Sequence, residues 1–144
     1  MIFIPKLELK VDIKAPAKRI YAILDDDSIE TKWNLSANEN EEIGPDKYSI
    51  KTTIGDVIST VSERVESEKL SYSIEGGFFS SMGYILNQKG SITEVLGWAE
   101  FDDEKDRKML KKAGDILLKS LNIIKNKLWL LHNFIFFSYP LINI

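Results

Sequence analysis

The sequence predicts an α+β domain built from a seven-stranded antiparallel sheet, two short helices after the first strand, and one long C-terminal helix packed over the sheet. Three observations predict it. The stretch "KLELKVDIK" alternates strictly, the middle of the chain is a series of short β-branched and aromatic runs broken by turn residues, and everything after "DDEKD" follows one helical period.

In the first strand Leu7, Leu9, Val11 and Ile13 share one face and Lys6, Glu8, Lys10, Asp12 and Lys14 the other, so one side meets a core and the other water. "APAKRIYAILDD" follows, where Pro16 suits a first helical position and Ile20, Ile23 and Leu24 fall together at helical spacing. Asp27 with Glu30 three residues on fits a capping box, which predicts a second short helix from Ser28 to about Trp33. Six strands come next: Leu35 to Ile43, Tyr48 to Thr53, Val57 to Val65, Lys69 to Glu75, Phe79 to Gln88 and Ile92 to Phe101. Gly-Pro, Gly-Asp, Gly-Gly and Lys-Gly turns mark most of the breaks.

The final helix carries Met109, Leu110, Ala113, Ile116, Leu117, Ile123, Ile124, Leu128, Leu131, Phe134 and Ile135 on one stripe, with Lys111, Lys112, Asp115, Lys119 and Asn122 opposite. The stripe runs to about Phe137 and Pro140 ends it. Residues 1–144 are therefore expected to form one domain, with 128–144 as an apolar extension of the last helix plus a tail. A membrane span needs about 20 mostly apolar residues, and this tail is interrupted by His132, Asn133, Ser138, Pro140 and Asn143, so no transmembrane span is expected. Trp129, Phe136 and Phe137 fall on the polar side, which points to an interface. A homodimer contact is the expected use, with peripheral membrane docking as the other option.

Composition narrows the function classes. Apolar residues make up 44% and charged residues 28% of 144, an ordinary globular balance. The net charge of −3 and the dispersed Lys and Arg give no footprint for nucleic acid. There is no cysteine, which excludes disulfides and thiolate metal sites, and the start "MIFIPKLELK" lacks a signal-peptide h-region, so the cytoplasm is expected.

Catalytic motifs are scarce. The one histidine, His132, lies toward the polar edge of the last helix and reads as a solvated or interface residue. No His-paired nucleophile or spaced metal-ligand set can be assembled, and the "DDD" at Asp25 to Asp27 is explained by capping and solvation. No metal or cofactor is expected. "EGGFF" is a hairpin turn, with no Lys-Ser/Thr after it to make a phosphate loop. Glu94 and Glu100 share one strand face with Leu96 and Trp98. If that face is inward, desolvation raises their pKa values and they can act as acid, base or ligand anchors. If it is outward, as Val95, Ala99 and Phe101 on the opposite face suggest, they are solvated and Trp98 leaves the interior too.

The element order is that of the helix-grip fold, and "VDIKAPAKRIYAILDDDSIETKW" resembles the opening of the START-like, or SRPBCC, superfamily. There a strand leads into Ala-Pro, then a helix with an apolar-aromatic pair (Ile20, Tyr21), then Leu-Asp (Leu24, Asp25), then a Trp (Trp33). The chain is similar to the Bet v 1-like and polyketide-cyclase-like branches and to small archaeal members. The resemblance implies a curved sheet gripping the long helix around an apolar cavity that takes a hydrophobic small molecule such as a fatty acid or another lipid-like ligand. It nominates Trp33, Tyr48, Tyr72, Phe79, Tyr84, Leu86, Trp98, Met109, Ala113, Ile116, Leu117 and Ser120 as lining. The second turn, "EIGPDKY", has one glycine where the allergen-like branch has a glycine-rich loop, which weakens transfer of that branch's ligands. A binding or carrier role is expected, with a cyclase- or dehydratase-like enzyme and a protein-interaction module acting through the apolar C-terminal end as alternatives.

Overall fold

The chain begins its sheet at once, because the alternation of β1 (Lys6–Ile13) leaves Leu7 and Ile13 buried and Lys6 and Glu8 in water. The computed structural model describes residues 3–125, and the expectations for His132, Trp129, Phe136, Phe137 and the 128–144 tail lie outside the described residues. After β1 come α1 (Ala17–Leu24), a 3-10 turn (Asp27–Ile29) and α2 (Glu30–Trp33). Then follow β2 (Ala37–Gly44), β3 (Lys47–Thr52), β4 (Gly55–Val65), β5 (Lys69–Glu75), β6 (Ser81–Lys89) and β7 (Ile92–Glu100), and finally α3 (Arg107–Ile124). The seven strands form one curved antiparallel sheet in the order β1-β7-β6-β5-β4-β3-β2. The last strand closes back onto the first, with Leu7 opposite Ala99 and Leu9 opposite Gly97.

Cross-strand partners lie on the same face, so the register separates the two faces of the sheet. The concave face carries Leu9, Val11, Gly97, Val95, Tyr84, Leu86, Leu70, Tyr72, Ile74, Ser59, Val57, Ile50 and Tyr48. The convex face carries Lys6, Glu8, Lys10, Glu94, Leu96, Trp98 and Glu100. Gly83 pairs with Trp98 there, and a Cβ added to Gly83 would stand 2.7 Å from the Trp98 ring and 2.8 Å from the Leu70 carbonyl oxygen. The glycine is what lets the indole lie flat across β6. A β-bulge between Val61 and Glu63 shifts the alternation of β4 by one residue, which brings Arg64 opposite Leu70 and onto the concave side.

Helix boundaries differ from expectation in small but informative ways. Pro16 occupies the cap of α1 rather than its first turn, and the Ala17 N–H is held instead by Gln88 Oε1 at 2.9 Å, tying α1 to β6. The cap of the turn before α2 is Asp26, not Asp27: Asp26 Oδ1 accepts from the Ser28 N–H at 3.1 Å. Asp27 and Glu30 are thereby left for another use.

The inward face of α3 is set by close approach to the sheet more than by the average of its apolar residues. A Cβ on Gly114 would lie 2.7 Å from Leu9 Cδ1, and Leu118 packs over Gly97 with its Cδ2 3.6 Å from where a Cβ would be. The helix is therefore rotated so that Leu110, Leu118, Leu121 and Ile124 are buried, while Ile116 is 37% and Ile123 64% exposed. Ile13, Ile20, Ile23, Ile29, Trp33, Leu70, Leu86, Val95 and Leu121 form the main core, and Leu7, Phe101 and Leu110 a second cluster.

Candidate functional site

Between the concave face and α3 lies a partly open cavity of about 150 Å³, bordered by residues of both core clusters. Four of its bordering residues are small, Gly97 and Ala99 from β7 and Ala113 and Gly114 from α3. Most of the wall is apolar: Leu9, Ile50, Val57, Ile74, Phe79, Met82, Leu110 and Leu117 all contribute.

Seven of the twelve lining residues nominated from sequence border this cavity: Tyr48, Tyr72, Phe79, Tyr84, Trp98, Ala113 and Leu117. Trp98 does so only through its strand, because its ring lies on the convex face with Lys6 Nζ 5.1 Å from the ring centroid. The remaining five lie elsewhere. Trp33 and Leu86 are core residues, and Trp33 Nε1 is buried with no hydrogen-bond partner among the described residues. Met109 and Ile116 lie off the cavity because α3 is rotated toward Gly114. Ser120, on the same helix, donates to the Ile116 carbonyl at 2.7 Å.

One end of the cavity is polar, and the residues that make it so were assigned to capping and solvation in the sequence. Asp27, Glu30, Asn34, Ser36 and Asn40 line it together with Tyr48. Glu30 Oε1 accepts from Asn34 Nδ2 at 2.8 Å, and Asn34 Oδ1 in turn accepts from the Ser36 N–H at 3.0 Å and the Ser36 hydroxyl at 2.6 Å. Burial lifts the Glu30 carboxyl from 4.5 to about 7, with the hydrogen bond from Asn34 opposing and the nearby Asp27 adding to the rise. Burial raises Asp27 as well.

The Tyr48 hydroxyl lies between two carboxyl groups. It donates to Glu42 Oε2 at 3.2 Å, and its interaction with Asp27 is the main reason its pKa is raised. Deeper in, Tyr72 and Tyr84 meet edge to face with ring centroids 6.5 Å apart, and burial pushes both phenols up. Tyr84 is 5% exposed and borders the cavity, yet its hydroxyl makes no hydrogen bond among the described residues. The amide of Asn40 is likewise buried with both polar atoms unpartnered.

The described lining holds no Lys, Arg or His. Arg64, brought to the concave side by the β4 bulge, is fully engaged: its Nε meets Asp25 Oδ1 at 3.1 Å, and its two Nη atoms meet the Asp46 carboxylate at 3.0 Å each. Glu94 and Glu100 face outward. Glu94 pairs with Lys89 at 3.5 Å and Lys10 at 4.0 Å, and Glu100 Oε1 accepts from the Ser81 hydroxyl at 3.3 Å. Among the described residues no group of three or more His, Cys, Asp or Glu is placed to hold a metal ion.

With this geometry in view, the solved structures that share it are informative. A START superfamily protein from Mycobacterium smegmatis matches with a TM-score of 0.77 at 16% identity, over 85% of this chain and 98% of that one. The fold is that of the START superfamily. The START-like arrangement recurs in Ara h 8.0201, at a TM-score of 0.68 and 13% identity, over 87% of this chain and 99% of that one. It also recurs in the Aha1 dimer from Colwellia psychrerythraea, at 0.65 and 19%, over 83% and 95%. No protein-family model and no curated protein matches the chain.

Proposed function

We propose that this START-fold protein binds a hydrophobic small molecule in the cavity between the sheet and α3, as a binding or carrier protein. The observation that carries the reading is the cavity itself: interiors pack to crystal density, and a largely apolar hollow of about 150 Å³ left between sheet and helix forgoes that packing. A space of roughly that volume takes a group on the scale of a benzene ring. The cavity is partly open, so the portion of the ligand held inside is a ring or short chain and the rest can extend outward. The enzyme alternative, which drew on the cavity, Glu94, Glu100 and Tyr84, loses most of its support where Glu94 and Glu100 turn outward.

The same reading has the chain working in the cytoplasm as a homodimer joined through Trp129, Phe136 and Phe137. Among the described residues no helix is long and apolar enough to cross a membrane. The test is native mass spectrometry of the purified protein with organic extraction of anything bound, alongside titration with the neutral fluorophore N-phenyl-1-naphthylamine. A stoichiometric apolar ligand or saturable fluorescence supports the reading, and neither in a folded protein overturns it. The mass of the native species reads the oligomer directly.

A further inference from the structure

The cavity has a polar end with a definite chemical preference. Two carboxyl groups, Asp27 and Glu30, stand there with the amides of Asn34 and Asn40, and no cation among the described residues borders the space. The guanidinium on that side of the sheet, Arg64, is committed to Asp25 and Asp46 and is not part of the wall. Tyr84 is buried and borders the same cavity, and its hydroxyl has no hydrogen-bond partner among the described residues. Burial raises both Tyr72 and Tyr84, and the charge of Glu30 adds to the rise in each.

We infer that the cavity selects ligands whose polar head is a hydrogen-bond donor without negative charge, a hydroxyl or an amine, and rejects carboxylate heads, fatty acids among them. A hydroxyl can donate to the Glu30 carboxylate and accept from Tyr84. An ammonium gains charge attraction as well. A carboxylate only accepts, and it would bring a third acidic group into a low-dielectric end that has no counter-cation. This inference rests on the proposed binding in the cavity and names the head class for that same site. The titratable groups facing Glu30 are Asp27 from the turn before α2, Tyr72 from β5 and Tyr84 from β6. The residues of α3 in the wall, Leu110, Ala113, Gly114, Leu117 and Leu118, add none. Burial holds Glu30 near 7, so its charge grows between pH 6 and pH 8.

The experiment is displacement of N-phenyl-1-naphthylamine from the full chain by octylamine, 1-octanol and octanoate, three molecules that share one tail and differ in the head. At pH 8 octanoate is expected to bind at least about tenfold more weakly than octanol, since a like charge at close range shifts such equilibria by a factor of ten or more. Octylamine should match or exceed octanol, and should lose about tenfold on going to pH 6 while octanol stays flat. Glu30→Gln should reduce the amine's advantage over octanol and flatten the amine's loss between pH 8 and pH 6. If that variant fails to fold, the wild-type pH comparison gives the same readout. Octanoate binding as tightly as octanol at pH 8 overturns the head-class inference and leaves the cavity reading intact. No displacement by any of the three, together with no uptake of the fluorophore, overturns the binding reading itself.

Discussion

Glu30→Gln is the substitution whose stability effect follows most directly from the structure. The Glu30 carboxyl is held near pH 7 in the folded chain against 4.5 when free, so the folded state binds its proton more tightly than the unfolded state does. Stability therefore falls as pH rises from 4.5 through 7, and above 7 the full penalty of a buried carboxylate is present. The shift corresponds to about 3 kcal/mol, and solvent reaching this half-buried residue brings the expected effect to about 1–3 kcal/mol. Glutamine keeps an oxygen to accept from Asn34 and never ionises. Urea denaturation of both proteins at pH 4, 6 and 8 measures the difference. The variant should be close to wild type at pH 4 and more stable by about 1–3 kcal/mol at pH 8. A difference that stays constant with pH would refute the claim that this carboxyl is desolvated.

Other substitutions probe the frame around it. Gly83→Ala places a methyl 2.7 Å from the Trp98 ring and 2.8 Å from the Leu70 carbonyl, and should cost about 1–3 kcal/mol in a thermal or urea melt; a neutral result would mean the indole does not lie across β6. Leu118→Ala, buried against Gly97, should cost about 2–5 kcal/mol by the same measurement. Tyr84→Phe removes a hydroxyl with no partner among the described residues, so the unliganded protein should lose no stability, whereas a clear loss would reveal a partner for that hydroxyl. Arg64→Ala should let the Asp46 carboxyl, now held below its usual range by the guanidinium, return upward in an NMR titration; with these exposed pairs the stability change should stay within about 1 kcal/mol.

The fold was legible because its signals are periodic. The alternation of β1 and the spacing of turns between Gly44 and Gly90 depend on neighbours in sequence, and most strand limits lie within a residue or two of their expected places. The phase of α3 was less so. Met109, Ile116 and Ile123 are as apolar as Leu110, Leu117 and Leu121, and only the approach of Gly114 to Leu9 decides which set turns inward. The polar end was not legible at all. Asp27 and Glu30 match a capping box, and Asp26, one residue earlier, can cap equally well in sequence. Which aspartate caps depends on where the chain enters the turn, and only the folded chain shows Asp26 taking the cap and freeing Asp27 for Tyr48. Arg64 was equally hidden, since its face is set by a bulge that leaves no mark in the alternation of β4.

These features share one energetic logic. The groups that make the polar end destabilise the empty protein. A carboxyl at Glu30 pays for its desolvation above neutral pH, the Tyr84 hydroxyl and the Asn40 amide lack partners among the described residues, and the cavity forgoes packing. Substitutions that fill or neutralise this end should therefore stabilise the empty chain, which is the usual mark of residues kept for a ligand and not for folding. A ligand that fills the void and donates to Glu30 relieves several of these costs at once, so its binding energy appears as added stability of the folded state. Two melts distinguish the possibilities without knowing the natural ligand. If octanol raises the unfolding midpoint of wild type but raises that of a cavity-filling Ala113→Leu variant much less, the stabilisation arises in the cavity; equal shifts in both would place octanol elsewhere on the protein.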